Sequence, residues 1–225
     1  MEKKFPQPLD GTLRKFSIRV PMCIRECSGI LIFGKRIKSL LFSTDLSIIR
    51  NTNADAVMAV YPFTPQPVIS GALLQAADIP VFVGVGGGLT QGRRVINLSL
   101  FAEMQGAIGV VVNAPTSNES VEEIRNSIDI PIVVTVVNDD DDIDARVNAG
   151  TSIFNVSAAA KTADIVRKIR NKYPDMPIIA TGGPTDETIT ETIKAGANAI
   201  TWTPPSAAEI FKDIMAAYRN NEPHP

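Results

Sequence analysis

Few residues in this sequence could do chemistry, and their types narrow the reactions open to it. His224 is the only histidine and stands next to last in "NNEPHP", where chain ends are expected to fray, so a histidine base is nearly excluded. Cys23 and Cys27 are the only cysteines. Their spacing could place both on one helix face, but two thiols alone make a poor zinc site, and they read as reduced structural thiols. The best-placed carboxylate is Asp45, directly after an apolar stretch. It reads either as a general base or as the cap of the helix that follows. Lys161, in "NVSAAAK", could reach inward to a phosphate or carbonyl, although a lysine at a helix start is more often solvated. Asn113 and Asn155 each end an apolar segment. Their amides either hold a substrate carbonyl or hydroxyl or bond the neighbouring loops.

Two further stretches invite ligand readings. "VFVGVGGGLTQGRR", from Val81, nearly spells two nucleotide motifs. Counted from Gly84, the dinucleotide fingerprint meets Leu89 where its last glycine should stand. Counted from Gly87, a phosphate loop reaches Gly92 but continues Arg93-Arg94 instead of lysine and a hydroxyl. Both failures fall on residues with a physical job, so Gly86, Gly87 and Gly88 are better taken as pocket wall or as backbone donors to a substrate. One of the arginines could bind an anion at the mouth, or both pair with surface acids. "NDDDDID" at 138–144 offers carboxylates to a hard cation such as Mg²⁺. Consecutive side chains diverge, however, and acids also favour the first turn of a helix. No cofactor is required by the sequence.

The elements that must position these residues follow from patterning. The chain has 225 residues, 44% hydrophobic and 20% charged, with a formal net charge of −2. That is ordinary globular composition, and it lacks the basic field a nucleic-acid partner would need. No apolar run reaches roughly the 18 residues of a membrane span, so a cytoplasmic protein is expected. Eight short β-branched segments recur at 39–43, 56–61, 81–85, 108–113, 132–137, 153–157, 178–182 and 199–203. Most are apolar on successive positions, as strands covered on both faces are. Helical patterns lie between them, including "TADIVRKIRNKY" and "SAAEIFKDIMAAYRN", the latter opening with Ser206 and Glu209 at capping-box spacing and carrying Ile210, Phe211, Ile214 and Tyr218 on one face. This rhythm predicts an α/β fold, a closed (β/α)8 TIM barrel over 39–219, with a doubly wound open sheet as the alternative. Residues 1–38 form an N-terminal extension outside the repeat. Within it "GILIFGKRI" reads as a hairpin turning at Gly34-Lys35, either capping the barrel floor or making a contact in a homo-oligomer. Residues 220–225 read as a flexible tail.

A barrel of this kind works at the C-terminal ends of its strands. The seventh and eighth loops there, "ATGGPT" and "TPPSAAE", offer Thr181, Gly182, Gly183, Thr203 and Ser206. Bare glycine backbone and a free helix N-terminus would suit a phosphate; a tight turn with Ser206 and Glu209 satisfying the helix start is the competing reading. "PIIATGGPTDETITETIKAGANAIT" resembles the closing units of the phosphate-binding barrels, among them thiamine-phosphate synthase, the tryptophan-pathway barrels and the keto-deoxy-phosphogluconate aldolases. The whole chain also resembles a small bacterial barrel family labelled only "hydrolase". The resemblance implies an enzyme acting on a small phosphorylated or anionic metabolite by lyase, isomerase or hydrolase chemistry; the catalytic residues depart from those enzymes, and on the residues of this sequence Asp45 or Lys161 would move a proton. That likeness does not carry over the aldolases' Schiff-base lysine, because none of the eight segments contains one. The alternative is a non-catalytic metabolite sensor on the same fold, similar to the glycerol-phosphate-responsive antiterminators.

Overall fold

The structure, a computed structural model, describes residues 4–7 and 18–224. It opens with a short 3-10 turn (Met22–Glu26) and a hairpin, β1 (Ile30–Ile32) and β2 (Lys35–Ile37). Alternating units follow: β3 (Ser39–Phe42), α1 (Leu46–Arg50), β4 (Ala56–Ala59), α2 (Pro67–Ala76), β5 (Val81–Gly86), α3 (Arg93–Met104), β6 (Gly109–Val112) and α4 (Asn118–Arg125). The second half holds β7 (Ile132–Val136), α5 (Ile143–Asn148), β8 (Ile153–Val156), α6 (Thr162–Lys172), β9 (Ile178–Thr181), α7 (Asp186–Lys194), β10 (Ala199–Trp202) and α8 (Ala207–Arg219).

Strands β3 to β10 form one closed parallel barrel. Closure is made by β10 on β3, with Ile200 beside Ser39 and Trp202 beside Leu41. The eight apolar runs are therefore the eight barrel strands, and the open-sheet alternative is excluded. Their apolar character has a simple cause. Each strand buries one set of alternate residues inside the barrel and the other against the helices. Leu40, Met58, Phe82, Val133, Ile153 and Ile179 belong to the inner cluster; Leu41, Val57, Val83, Val134, Phe154 and Ala180 belong to the helix-facing one. Full burial of each such side chain stabilises the fold by about 1.5–3 kcal/mol.

The hairpin's Ile30, Ile32 and Ile37 join the inner cluster. Its turn is Phe33–Gly34, both at positive φ, one residue earlier than Gly34-Lys35. Pairing Ile32 with Lys35 and Ile30 with Ile37 demands that turn, and it places the three isoleucines together. Asp55 Oδ2 then accepts from the backbone N–H of Lys38 and Ser39 at 2.9 and 3.0 Å, holding the hairpin exit to the barrel.

Helix α8 departs from its pattern. The expected apolar face leaves Phe211 65% exposed, with Tyr218 also exposed, and Ala217 is its only buried residue. The segment before the barrel supplies the reason. Val20, Ile24 and Cys27 are buried in the helix-facing cluster, and the 3-10 turn packs against α7. Part of the outer layer is thus filled by the N-terminal extension rather than by α8. No helix of the described residues is long and apolar enough to cross a membrane.

Candidate functional site at the C-terminal mouth

Strand parity sets which side chains face the barrel axis above the apolar core. Two residues beyond Val133, Ile153, Ile179 and Ala199 stand Thr135, Asn155, Thr181 and Thr201. Thr135 lies beside Asn155 in the register, and Thr181 beside Thr201. Four consecutive strands therefore turn hydroxyl or amide groups inward, in two register pairs; Asn155 itself lies beside Ile179, so Thr181 and Thr201 stand two residues further along their strands. Thr135, Asn155 and Thr201 are buried and Thr181 is half-buried. The Thr201 hydroxyl approaches Met58 Sδ at 3.9 Å. Asn155 Nδ2 donates to Thr135 Oγ1 at 3.3 Å, but among the described residues Asn155 Oδ1 has no hydrogen-bond partner although the residue is only 7% exposed. Such a group costs about 1–3 kcal/mol of unreturned desolvation.

On the other side of the mouth a cavity of about 360 Å³ opens between the loops after β4, β5 and β6. Tyr61, Phe63, Gly86, Gly87, Gly88 and Asn113 are among its walls. Tyr61 is held in place because its hydroxyl accepts from the Gln66 N–H at 2.8 Å. The glycine run is a tight turn in which the Gly87 N–H donates to the Thr90 carbonyl at 3.0 Å. Gly87 has φ +109°, and a Cβ there would stand 2.4 Å from Asn113 Cβ. Only glycine allows this approach, which brings Asn113 against the run.

The seventh and eighth loops are used differently. A Cβ on Gly182 would come within 2.6 Å of Ile189 Cγ1, and one on Gly183, at φ +81°, within 2.6 Å of Thr188 Oγ1. Both glycines therefore let α7 close on its strand. Thr185 caps α7 and Ser206 caps α8, each in a capping box. The Ser206 N–H and hydroxyl both donate to Glu209 Oε2, at 2.8 and 2.7 Å. These bonds hold the Glu209 carboxyl below the usual carboxylate range. The start of α8 thus already carries an internal anion, and Pro184, Pro204 and Pro205 remove three more N–H donors. Thr203 is exposed beside them.

Asp45 caps α1. Its Oδ1 accepts from Ser47 N, Ser47 Oγ and Ile48 N at 2.8, 2.6 and 3.2 Å. The hydrogen bond from the Ser47 side chain leads the effects that lower its pKa, which makes it a weaker base. Lys161 has a side chain 70% exposed and sits 3.7 Å from Asp139. Neither side chain is among the walls of the cavity over β4 to β6. Nor do Arg93 and Arg94 pair with surface acids: among the described residues neither makes an ion pair.

The acidic run is dispersed. Asp139 binds Lys168 at 2.8 Å, Asp141 accepts from Val137 N, Asp142 caps α5, and Asp144 binds Lys172 and Tyr173. Among the described residues no three His, Cys, Asp or Glu side chains converge as a metal site. The acidic run itself therefore does not gather into a three-carboxylate cation site.

The mouth is that of a TIM barrel, and solved structures share it. Phosphonopyruvate hydrolase, in a complex with oxalate and Mg²⁺, aligns with a TM-score of 0.63 at 11% identity, over 85% of this chain and 86% of that one. Phosphoenolpyruvate phosphomutase from Streptomyces platensis subsp. rosaceus gives 0.60 at 11% identity, over 89% and 86%. The 4-hydroxy-tetrahydrodipicolinate synthase from Methylacidiphilum fumariolicum SolV gives 0.60 at 16%, over 82% and 74%. No protein-family model and no curated protein matches the sequence. The likeness is one of fold. The phosphonate and dipicolinate barrels are also different proteins from those that the closing units resemble in sequence.

Of the residues singled out by the sequence, Gly86, Gly87, Gly88 and Asn113 share the cavity, while Asn155 and Thr181 share the inward layer. Thr135, Thr201, Tyr61 and Phe63 were given no role. For Thr135 and Thr201 a signal existed, a lone hydroxyl inside an otherwise apolar strand. For Tyr61 and Phe63 the signal was their place just after the second apolar segment, at the mouth, but only the folded loop brings them beside the glycine run.

Proposed function

We propose that this barrel is an enzyme of small-molecule metabolism, taking an anionic or phosphorylated metabolite at its C-terminal mouth. The observation that carries the reading is the buried, half-unpaired Asn155 in an inward layer of hydroxyls. A buried acceptor without a donor is a standing cost, and it is kept where a ligand returns it. In this reading Asn155, Thr135 and Thr201 orient the substrate, and Asn113 with Gly86, Gly87 and Gly88 walls its other end. Thr181, Gly182, Gly183, Thr203 and Ser206 are the proposed anion side, by backbone N–H donors and hydroxyls. The internal Glu209 carboxylate limits that grip at Ser206. Lyase, isomerase and hydrolase chemistry all suit a site whose solved neighbours include a phosphonopyruvate hydrolase, a phosphomutase and a dipicolinate-pathway synthase. Asp45 and Lys161 are the proposed proton carriers at the rim, and no step is routed through a metal.

A second reading, a metabolite sensor without turnover, has one observation in its favour: Thr135, Asn155, Thr181 and Thr201 carry no charge, so the axis itself holds neither acid nor base.

The test is thermal unfolding with inorganic phosphate and with oxalate, on the native chain and on Thr181→Val, which removes a hydroxyl of the anion side at nearly constant shape. Ligand binding to the folded state should raise Tm with the logarithm of ligand concentration above Kd, and Thr181→Val should lose part of that rise. No rise with either anion, or an equal rise in the variant, overturns the proposal. Turnover in a screen of phosphorylated metabolites separates the enzyme from the sensor.

A further inference from the structure

We propose that the cavity over β4, β5 and β6 binds a flat, uncharged group carrying a hydrogen-bond donor and acceptor side by side, of the carboxamide class. It rests on the mouth being the ligand site and assigns the second half of the substrate, away from the anion side.

Charge is the first argument. None of the residues lining this cavity has a charged side chain. An ion drawn out of water there would find no counter-charge, which is costly. An uncharged group loses little.

Shape is the second. Gly86 and Gly87 present bare backbone because nothing larger fits: a Cβ would lie 2.4 Å from Val95 Cγ2 and 2.4 Å from Asn113 Cβ, respectively, and one on Gly84 would crowd Val60 Cγ2 at 3.2 Å. Bare peptide on one wall and the rings of Tyr61 and Phe63 on another make a site suited to a planar guest. At about 360 Å³ the space holds a single ring and lies at the small end of ligand sites, which run from about 300 to 1,000 Å³. Phe63 is 74% and Leu89 100% exposed at the rim, so apolar surface stands ready to be covered.

Hydrogen bonding is the third. The Asn113 backbone is pinned on both sides: its N–H donates to the Gly86 carbonyl, and its carbonyl accepts from Thr116 N, both at 3.0 Å. Its side-chain amide makes no hydrogen bond among the described residues and is exposed. An unengaged amide on a pinned backbone offers one acceptor and two donors, and its complement is another amide edge.

Three probes that differ one property at a time test this: benzamide, its charged counterpart benzoate, and the puckered cyclohexanecarboxamide. Each is titrated into the full chain while the Gly86 to Gly88 backbone signals and the Asn113 side-chain NH₂ are followed by NMR. Benzamide should move these signals and bind at least tenfold tighter than benzoate or cyclohexanecarboxamide. Asn113→Leu should weaken benzamide about tenfold. Asn113→Asp, which keeps the shape but removes the donor, should do the same and serves if the leucine variant folds poorly. Equal binding of benzamide and benzoate, no movement of the glycine signals, or full affinity in both folded variants would overturn the proposal. Phosphate and oxalate report on the anion reading separately, so either result can fail without the other.

Discussion

Replacing Asn155 by leucine tests whether the inward polar layer exists for a ligand or for the fold. Leucine is the branched shape analogue of asparagine, so the strand and its neighbours need not move far. Removing the unpartnered Oδ1 recovers about 1–3 kcal/mol of desolvation. Against this stand the loss of the long 3.3 Å bond to Thr135, worth about 0.5–1.5 kcal/mol, and the crowding of two methyls into a packed level, about 1–3 kcal/mol. These largely offset one another, and mid-range values leave a net loss of about 1 kcal/mol. For a chain of this size that is a Tm shift of no more than about 2–4 °C. Urea unfolding followed by circular dichroism reads it, with the slope m held as a check that the transition itself is unchanged. A loss above about 4 kcal/mol at constant m, beyond what the lost bond and the crowding allow once the desolvation is recovered, would mean that the amide is a satisfied structural group.

Other predictions follow from the same geometry. Gly87→Ala forces a side chain into φ +109° and against Asn113; it should cost about 1–3 kcal/mol, read as a lower Tm, and abolish benzamide binding. Cys27 is buried, and that burial pushes its thiol up to about 12. Native protein should resist iodoacetamide at Cys27 at pH 8 and react on unfolding. Because the folded thiol keeps its proton while the unfolded one loses it, Cys27 should also lower stability as pH rises above the ordinary thiol range. Glu209 has the opposite sign: its carboxyl is held low by Ser206, so its stabilisation is present above the ordinary glutamate range and is lost as pH falls through the folded value. Glu209→Gln should flatten the acid limb of the unfolding curve and, by removing the internal anion, strengthen phosphate binding at the eighth loop.

The repeat was plain in the residue order. Continuous β-branched runs such as "IVVTVV" suit strands buried on both faces, and helix starts were spelled by Ser206 with Glu209 and by the acidic run ahead of α5. The same letters left Asp45 open between base and cap. The bonds from Ser47 and Ile48 settle its capping role, and they do so within four residues, which is why the local alternative was visible from the start. The anion reading of "ATGGPT" depended on donors being free. Both capping boxes and the close approach of Ile189 and Thr188 to the glycines spend much of that loop on holding α7 and α8.

By itself the sequence determined the eight strand–helix units, because strand and helix periods are local properties repeated eight times, and it left closed barrel against open sheet to be decided. The tertiary structure decided what faces what. Closure of β10 on β3 gives every strand an inside, and that turns Thr135, Asn155, Thr181 and Thr201 toward one axis from segments far apart in the chain. The near contact of Gly87 with Asn113 and the exposed face of α8 likewise depend on neighbours that no local pattern names. Hydrogen bonds made or missing across strands, and space left or filled between loops, are properties of distance in three dimensions.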